Sequence, residues 1–429
     1  MTGNDLSGAP QPRAPRTLCD GHRLALVAVL ATAFLVFGLA VTGPEESWEG
    51  MIAILGARDT LITDYVELGG VGGAFLNAGL LTLAAVSIFR LSGAQVGGSA
   101  LACLLMVLGA ALFGKNLVNV WPILIGVELH ARRTRTSFAA HAVTAFFGCA
   151  LSPVVSELLF SSALPFWQSL PLSLGAGIAI GFVLPPAAAQ LYHAHGGYSL
   201  YNMGFTAGVI GSVLVAVLLF YGFVPRPVFI WAEDQTWVLA PFLLASFAAM
   251  AAAGPLTDRG ALRRYRALLR EPGRAPSDFC ALHGDGATLL NCGILGLVST
   301  GYVLAVGGVL NGPVTGAILS VVGFGCFGKH LGNVLPVMAG VWLMSHLGGQ
   351  SPARPELLLA ALFGTALAPI SGGFGWRWGI LAGALHAAVA QSAGQLLGGL
   401  SLYGNGFAAG FVAAVLAPTA RAMAESRRR

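Results

Sequence analysis

Apolar residues in this chain gather into runs of roughly twenty, about the length at which a helix rising 1.5 Å per residue crosses the hydrocarbon of a bilayer. The runs lie at 22–43, 70–90, 97–113, 117–130, 138–163, 170–193 and 200–222, then at 237–254, 286–304, 308–327, 331–346, 356–371, 376–398 and 402–420. In lipid a segment must satisfy its own backbone groups, so the pattern predicts an all-α, polytopic integral membrane protein with about 10–14 membrane segments. In each set two neighbouring runs are short and broken by glycine and proline, at Gly114 and Pro122 and at Gly328 and Pro336. These breaks predict re-entrant hairpins or interrupted helices, which membranes tolerate only where the freed backbone is buried in protein or lines a wet cavity.

The two sets are copies of one another. FLNAGLLTL at 75–83 returns as LLNCGILGL at 289–297, and GKNLVNVWP at 114–122 as GKHLGNVLP at 328–336, both shifted by 214 positions. FGCALSPVVS at 147–156 returns as FGTALAPISG at 363–372, shifted by 216, and SLYNMGFTAG at 199–208 as SLYGNGFAAG at 401–410, shifted by 202. The second copy is shortened near Glu157–Pro171, where it has only GGFGW. The expected organisation is a cytoplasmic arm at 1–21, a membrane repeat at 22–222, an external loop at 223–236 and a second repeat at 237–420. That second repeat contains a basic linker, 255–283, and a basic tail follows at 421–429.

Charge orients this arrangement. Arg13, Arg16 and Arg23, the ArgArgThrArg run at 132–135, six arginines in the linker and the tail all read as cytoplasmic by the positive-inside rule. Placing them on one side requires an odd number of crossings per copy, so the two homologous halves are expected to be inverted-topology repeats with both termini cytoplasmic. Hydrophobic residues make up 56% of the chain and charged residues 10%, which excludes a soluble catalytic domain. The net charge of +5 sits in loops and tails, so the lipid bilayer is the expected partner and nucleic acid is not. The six cysteines show no CxxC and no metal spacing with histidine, and neither a metal nor a cofactor is expected.

The candidate chemistry lies in the repeated phrases. Lys115 and Lys329 are the only lysines, and each sits in an apolar stretch, where an ammonium costs several kcal/mol unless it is partnered or functional. Lys115 with Asn119, and Lys329 with Asn333, are spaced to share a helix face, with Asn116 and His330 beside the lysines. The freed amides at such a helix start attract anions. The competing reading is a lysine that snorkels to the surface or pairs with a carboxylate to lock the fold. Asn77, Asn291, Asn202 and Asn405 each open an apolar run after glycines; helix capping explains them, and solute contact is the alternative. Among the acids, Glu157, Asp64 and Asp285 are the candidates for coupling to a proton or sodium ion.

The phrases LITDYVELGGVGGAFLNAGLL, FGKNLVNVWP, GGYSLYNMGFTAG, FGKHLGNVLP, FGTALAPISGGFGW and GGLSLYGNGFAAGF together resemble the duplicated bacterial membrane family catalogued as domain of unknown function 1576, over most of 60–420. The resemblance implies a multi-spanning prokaryotic membrane protein and supplies no substrate. The two halves and the SLYNMGFTAG phrase are also similar to urea transporters, although neutral urea calls for no lysine.

These features lead to a secondary transporter for a small anionic or polar solute, located in the bacterial cytoplasmic membrane and open to forming homo-oligomers. A passive, urea-channel-like pore is the alternative. An intramembrane enzyme on a lipid-linked substrate is the third class, but the clustered acids, histidines or nucleophile it would need do not stand out, and no catalytic residue is assigned.

Overall fold

The computed structural model describes residues 17–60, 62–161 and 164–426; the sequence readings on Arg13, Arg16 and the last three arginines lie outside the described residues. The described chain is helical, with one isolated parallel bridge between Thr63 and Ile230. The first half runs through α1 (Asp20–Thr42), α2 (Pro44–Leu55), α3 (Tyr65–Ser92), α4 (Gly98–Ala110), α5 (Trp121–Thr134), α6 (Ala142–Gly148), α7 (Ser152–Phe160), α8 (Phe166–His195) and α9 (Asn202–Phe220). The second half comprises α10 (Thr236–Thr257), α11 (Ala261–Leu268), α12 (Phe279–His283), α13 (Asp285–Ala305), α14 (Gly312–Gly323), α15 (Leu331–Leu347), α16 (Pro355–Phe363), α17 (Ala368–Phe374), α18 (Trp376–Leu396) and α19 (Gly404–Ser426). Short 3-10 turns join α6 to α7 and α16 to α17, giving continuous apolar stretches Phe138–Phe160 and Pro355–Phe374.

Nine of these stretches are long and apolar enough to cross a bilayer, and α18, with 21 residues, fills the equivalent place in the second half. Their outward faces carry large exposed apolar side chains, such as Val29, Val213, Phe220 and Val415, which is the surface a lipid-facing helix presents. The protein is therefore a multi-pass membrane protein.

The four short helices α4, α5, α14 and α15 form two hairpins that enter from opposite faces. The helices α5 and α8 run side by side, Pro122 against Gly177 and Gly126 against Gly181, and both end at the face that holds the Arg132–Arg135 loop and the linker. There Arg274 donates to the carbonyl of Gly196, and Arg274 and Arg421 stack on Tyr198. We call this the basic face. The matching pair α15 and α18 runs the other way: Gly379 near Pro336 and Gly383 near Val337 place their starts by the linker and their ends at the opposite face.

At the centre α4 and α14 lie antiparallel, with Gly98 against the carbonyl of Cys326 and Gly312 against that of Leu112. These two contacts are repeat equivalents, so the halves are related by inversion. The twofold axis passes where Gly204 of α9 meets Gly406 of α19: a Cβ on either would stand 2.8 or 2.9 Å from the other's Cα, so both positions require glycine. The opposite face keeps only Arg58, Arg226 and Arg354 among the described arginines, which is the asymmetry the sequence predicts.

The sequence reading passes over one helix. Its 12 residues, Pro44–Leu55, pack as α2 against the start of α3, where Gly50 touches Gly69 and Gly73 and the backbone turns at Gly70 with φ 69°. The basic linker is likewise structured, since α10 continues to Thr257 and α11 and α12 follow.

Candidate functional site

Each hairpin ends in the same small construction. The Asn77 amide in the middle of α3 donates to the carbonyls of Ala111 (2.7 Å) and Lys115 (2.9 Å). In the second half Asn291 does the same for Gly325 (2.9 Å) and Lys329 (2.8 Å). Neither asparagine caps its own helix, as the sequence suggests; each satisfies carbonyls that the break between two hairpin arms leaves without helical donors. Asn119 and Asn333 accept from the backbone N–H of Asn116 and His330 and donate to the carbonyls of Gly114 (3.0 Å) and Gly328 (2.8 Å). The two glycines hold φ of 101° and 132°, backbone that side chains rarely adopt.

The lysines then leave their hairpins and cross to the other half. Lys115 Nζ donates to Tyr403 Oη (2.8 Å) and to the Phe146 carbonyl (3.1 Å), while Lys329 Nζ donates to Tyr201 Oη (2.6 Å), which also bonds Ser320. Each ammonium also lies over the ring of its tyrosine, 5.0 Å and 4.4 Å from the centroids. Both lysines are buried, and no carboxylate pairs with either among the described residues. The face shared with Asn119 or Asn333 does not form, because Asn119 precedes α5 and both asparagines turn back into their loops.

Tyr201 and Tyr403 close the inner end of a cavity of about 580 Å³. Its walls are Met106, Val143, Thr144, Phe147 and Phe324, and His130, His141 and Tyr192 stand towards the basic face, so it opens there. The lysines lie behind the tyrosines and present their charge to the cavity through the phenols. The two halves differ here. His141, Val143 and Thr144 are partly exposed in the cavity, whereas their equivalents are buried: Leu357 and Ala360, 2% and 0% exposed, pack in a seam with Val341 and Ala387, and Leu359, 5% exposed, packs into the main core.

Asn202 bonds His195 and the Ala188 carbonyl and lines the cavity, and Asn405 bonds His386. His330 bonds the Glu271 carbonyl in the linker. Of the coupling candidates, Glu157 is in an ion pair with Arg58 (2.8 Å) and Asp285 in one with Arg23 (2.8 Å). Asp64 accepts from the N–H groups of Val66, Ala232 and Gly312, the last at the start of α14. Its repeat equivalent is Asp278, which accepts from Gly98 N–H at the start of α4, so each half caps the other's hairpin.

Sequence reasoning missed Tyr201, Tyr403 and Asp59. The tyrosines were visible as the shared SLY of the two phrases; Asp59 had no repeat to mark it, because its equivalent is Gly273. Asp59 is buried in the connection between α2 and α3, outside the spanning helices. It accepts from Tyr65 Oη (2.7 Å), Asn116 Nδ2 (2.9 Å), Asn119 Nδ2 (2.9 Å) and Ser156 Oγ (2.6 Å). Burial pushes its carboxyl up to about 7, opposed by these four bonds.

Among the described residues no group of three or more metal-ligating side chains could hold an ion. No curated protein and no solved structure matches the chain. One family model does, over residues 43–220 and 257–422, one stretch for each half, and the chain belongs to that family, described as Protein of unknown function (DUF1576).

Proposed function

We propose that this protein is a secondary transporter that moves a small anionic or polar solute by alternating access, with Tyr201 and Tyr403 as the floor of the solute site. One observation carries the reading: of two inverted, equivalent faces, the first is opened into a cavity of about 580 Å³ and the second is packed shut. Exchanging the conformations of the two halves would close the first and open the second without changing the centre. A fixed channel needs no such asymmetry. The positive-inside rule assigns the basic face to the cytoplasm of a bacterial cell, so this conformation faces inward.

The centre supports an anion or a strong hydrogen-bond acceptor. A phenol that accepts from an ammonium is free to direct its own proton elsewhere, and Tyr403 has no acceptor besides the cavity among the described residues. The lysine charges are offset by neutral oxygens alone, so an anion arriving at the tyrosines would meet net positive potential in a weakly screened site. The cavity is walled mainly by apolar side chains around the two tyrosines, which supports reading it as a solute site.

A thermal-shift screen of the purified protein against organic acids, inorganic anions, urea and amino acids tests this. A ligand that raises the melting temperature of wild type should lose its effect in Lys115→Met and Lys329→Met, which keep the apolar stem and remove the cation. Reconstituted vesicles should then show saturable counterflow of that ligand. Wild-type binding and uptake by both variants would remove the lysines from the solute site.

A further inference from the structure

We propose that Asp59 is a proton-binding site that holds the first hairpin shut against the opposite face when ionised and releases it when protonated. This rests on the alternating-access reading and adds the proton as the coupling ion.

The geometry is that of a lock. Asp59 ties the hairpin tip, through Asn116 and Asn119, to α3 through Tyr65 and to α7 through Ser156. Asp59 Oδ2 receives three of these bonds, two of them from amide nitrogens that can only donate. Their orientation is fixed, because Asn116 Oδ1 accepts from Val118 and Asn119 N–H and Asn119 Oδ1 accepts from Asn116 N–H. An ionised carboxylate, an acceptor at both oxygens, satisfies all four donors; a proton on Oδ2 would face two amides that cannot accept it. Yet the carboxylate is fully buried and has no cation partner among the described residues, so keeping it ionised is costly.

The charged groups nearby do not cancel it. Arg58, its chain neighbour, is engaged with Glu157 of α7, and the Lys115 ammonium is directed to Phe146 and Tyr403. Asp64 is satisfied by backbone N–H groups, and Glu67 is exposed. Tyr65 remains a neutral donor. A route for the proton is at hand: an opening of about 370 Å³ on the opposite face is lined by Arg58, Glu157, Ser161 and Arg226, the first adjacent in sequence to Asp59 and the second to Ser156.

Among the described residues the second hairpin has no such carboxylate lock. Gly273 replaces Asp59, Gly372 replaces Ser156, and the tip is closed by backbone contact together with His330 on the Glu271 carbonyl. The carboxylate lock belongs, among the described residues, to one gate, the one facing away from the basic side; the second tip carries a histidine, His330, at the position of Asn116.

The test uses the full chain in vesicles, with Ala360→Cys as the reporter in a cysteine-free background. Ala360 is buried here and equivalent to cavity-lining Thr144, so it becomes reachable from the opposite face only when that side opens. Labelling by an impermeant maleimide is normalised at each pH to a cysteine at exposed Ser351. The rate should rise roughly tenfold from about pH 8 to about pH 6, the change in protonated fraction of a carboxyl titrating near 7. Asp59→Asn should label rapidly at every pH, and Ser156→Ala, which removes one bond to the ionised form, should move the midpoint to higher pH. An infrared carboxyl band that titrates in wild type and is missing in Asp59→Asn reads the proton directly. No titrating band, or identical labelling profiles with and without Asp59, overturns the proposal. A titrating band with no labelling of Ala360→Cys at any pH overturns the lock together with alternating access but leaves Asp59 as a proton site.

Discussion

The two hairpin tips share one sequence phrase and one backbone design, yet they are sealed in different ways. At the first, side chains do the sealing: Asp59, Ser156, Asn116 and Asn119 form a polar knot, with Arg58 and Glu157 outside it. At the second, the equivalent positions are Gly273, Gly372, His330 and Asn333; Asn333 keeps the bond of Asn119 to its loop glycine, His330 meets the Glu271 carbonyl, and the backbone approaches so closely that a Cβ on Gly273 would overlap the carbonyl of Gly328. The shared parts, Asn77 with Asn291 and Lys115 with Lys329, are what any such hairpin needs to hold its broken backbone and reach the centre. The differing parts distinguish a seal built around a buried carboxylate from one built mainly on close backbone contact. A polar knot can be loosened by one proton, whereas backbone packing changes only if elements move apart.

That contrast predicts its largest effect at Gly273. With φ at 70° and no space for a Cβ, Gly273→Ala should cost about 2–5 kcal/mol, the sum of a left-handed alanine and overpacking. The melting temperature of the purified variant measures this, and an unchanged value would mean that the second tip is not sealed by close backbone contact. The shared parts should instead give matched effects. Asn77→Ala and Asn291→Ala each strip two buried carbonyls of their donor and should each cost about 1–3 kcal/mol. Unequal losses in the same melting assay would break the equivalence of the hairpins. The smallest change belongs at the rim of the polar knot: Glu157→Gln leaves Arg58 with a side chain 31% exposed to water, so the loss should be about 1 kcal/mol or less. A larger loss would move Glu157 from the rim into the lock itself.

Much of this architecture was legible in the sequence because it depends on local pattern. Runs of apolar residues give the spanning helices, Gly114, Pro122, Gly328 and Pro336 mark the hairpins, and the distribution of arginine gives the inversion. What escaped reading depends on contacts between distant segments. Lys115 meets Tyr403 across 288 positions and Lys329 meets Tyr201 across 128, and no spacing rule joins them. Asn77 was read as a helix cap from its glycine-rich approach, but α3 begins twelve residues earlier and the side chain serves the neighbouring hairpin instead. The helix α2 was passed over because it opens on Pro-Glu-Glu and is too short to register as a span; it stabilises the chain by packing glycine on glycine against α3. Asp59 sat in a short polar connection with no repeat partner, so nothing in the chain set it apart from a surface acid.

The inversion underlies both the comparison of the tips and the proposed alternation, and the sidedness of two exposed loops tests it most directly. Ser137 follows the first hairpin at the basic face, and Ser351 follows the second at the other. Single cysteines at these positions, in a cysteine-free background and in sealed vesicles of known orientation, should react with an impermeant maleimide from opposite sides. Reaction of both from the same side would make the halves parallel repeats and contradict the account.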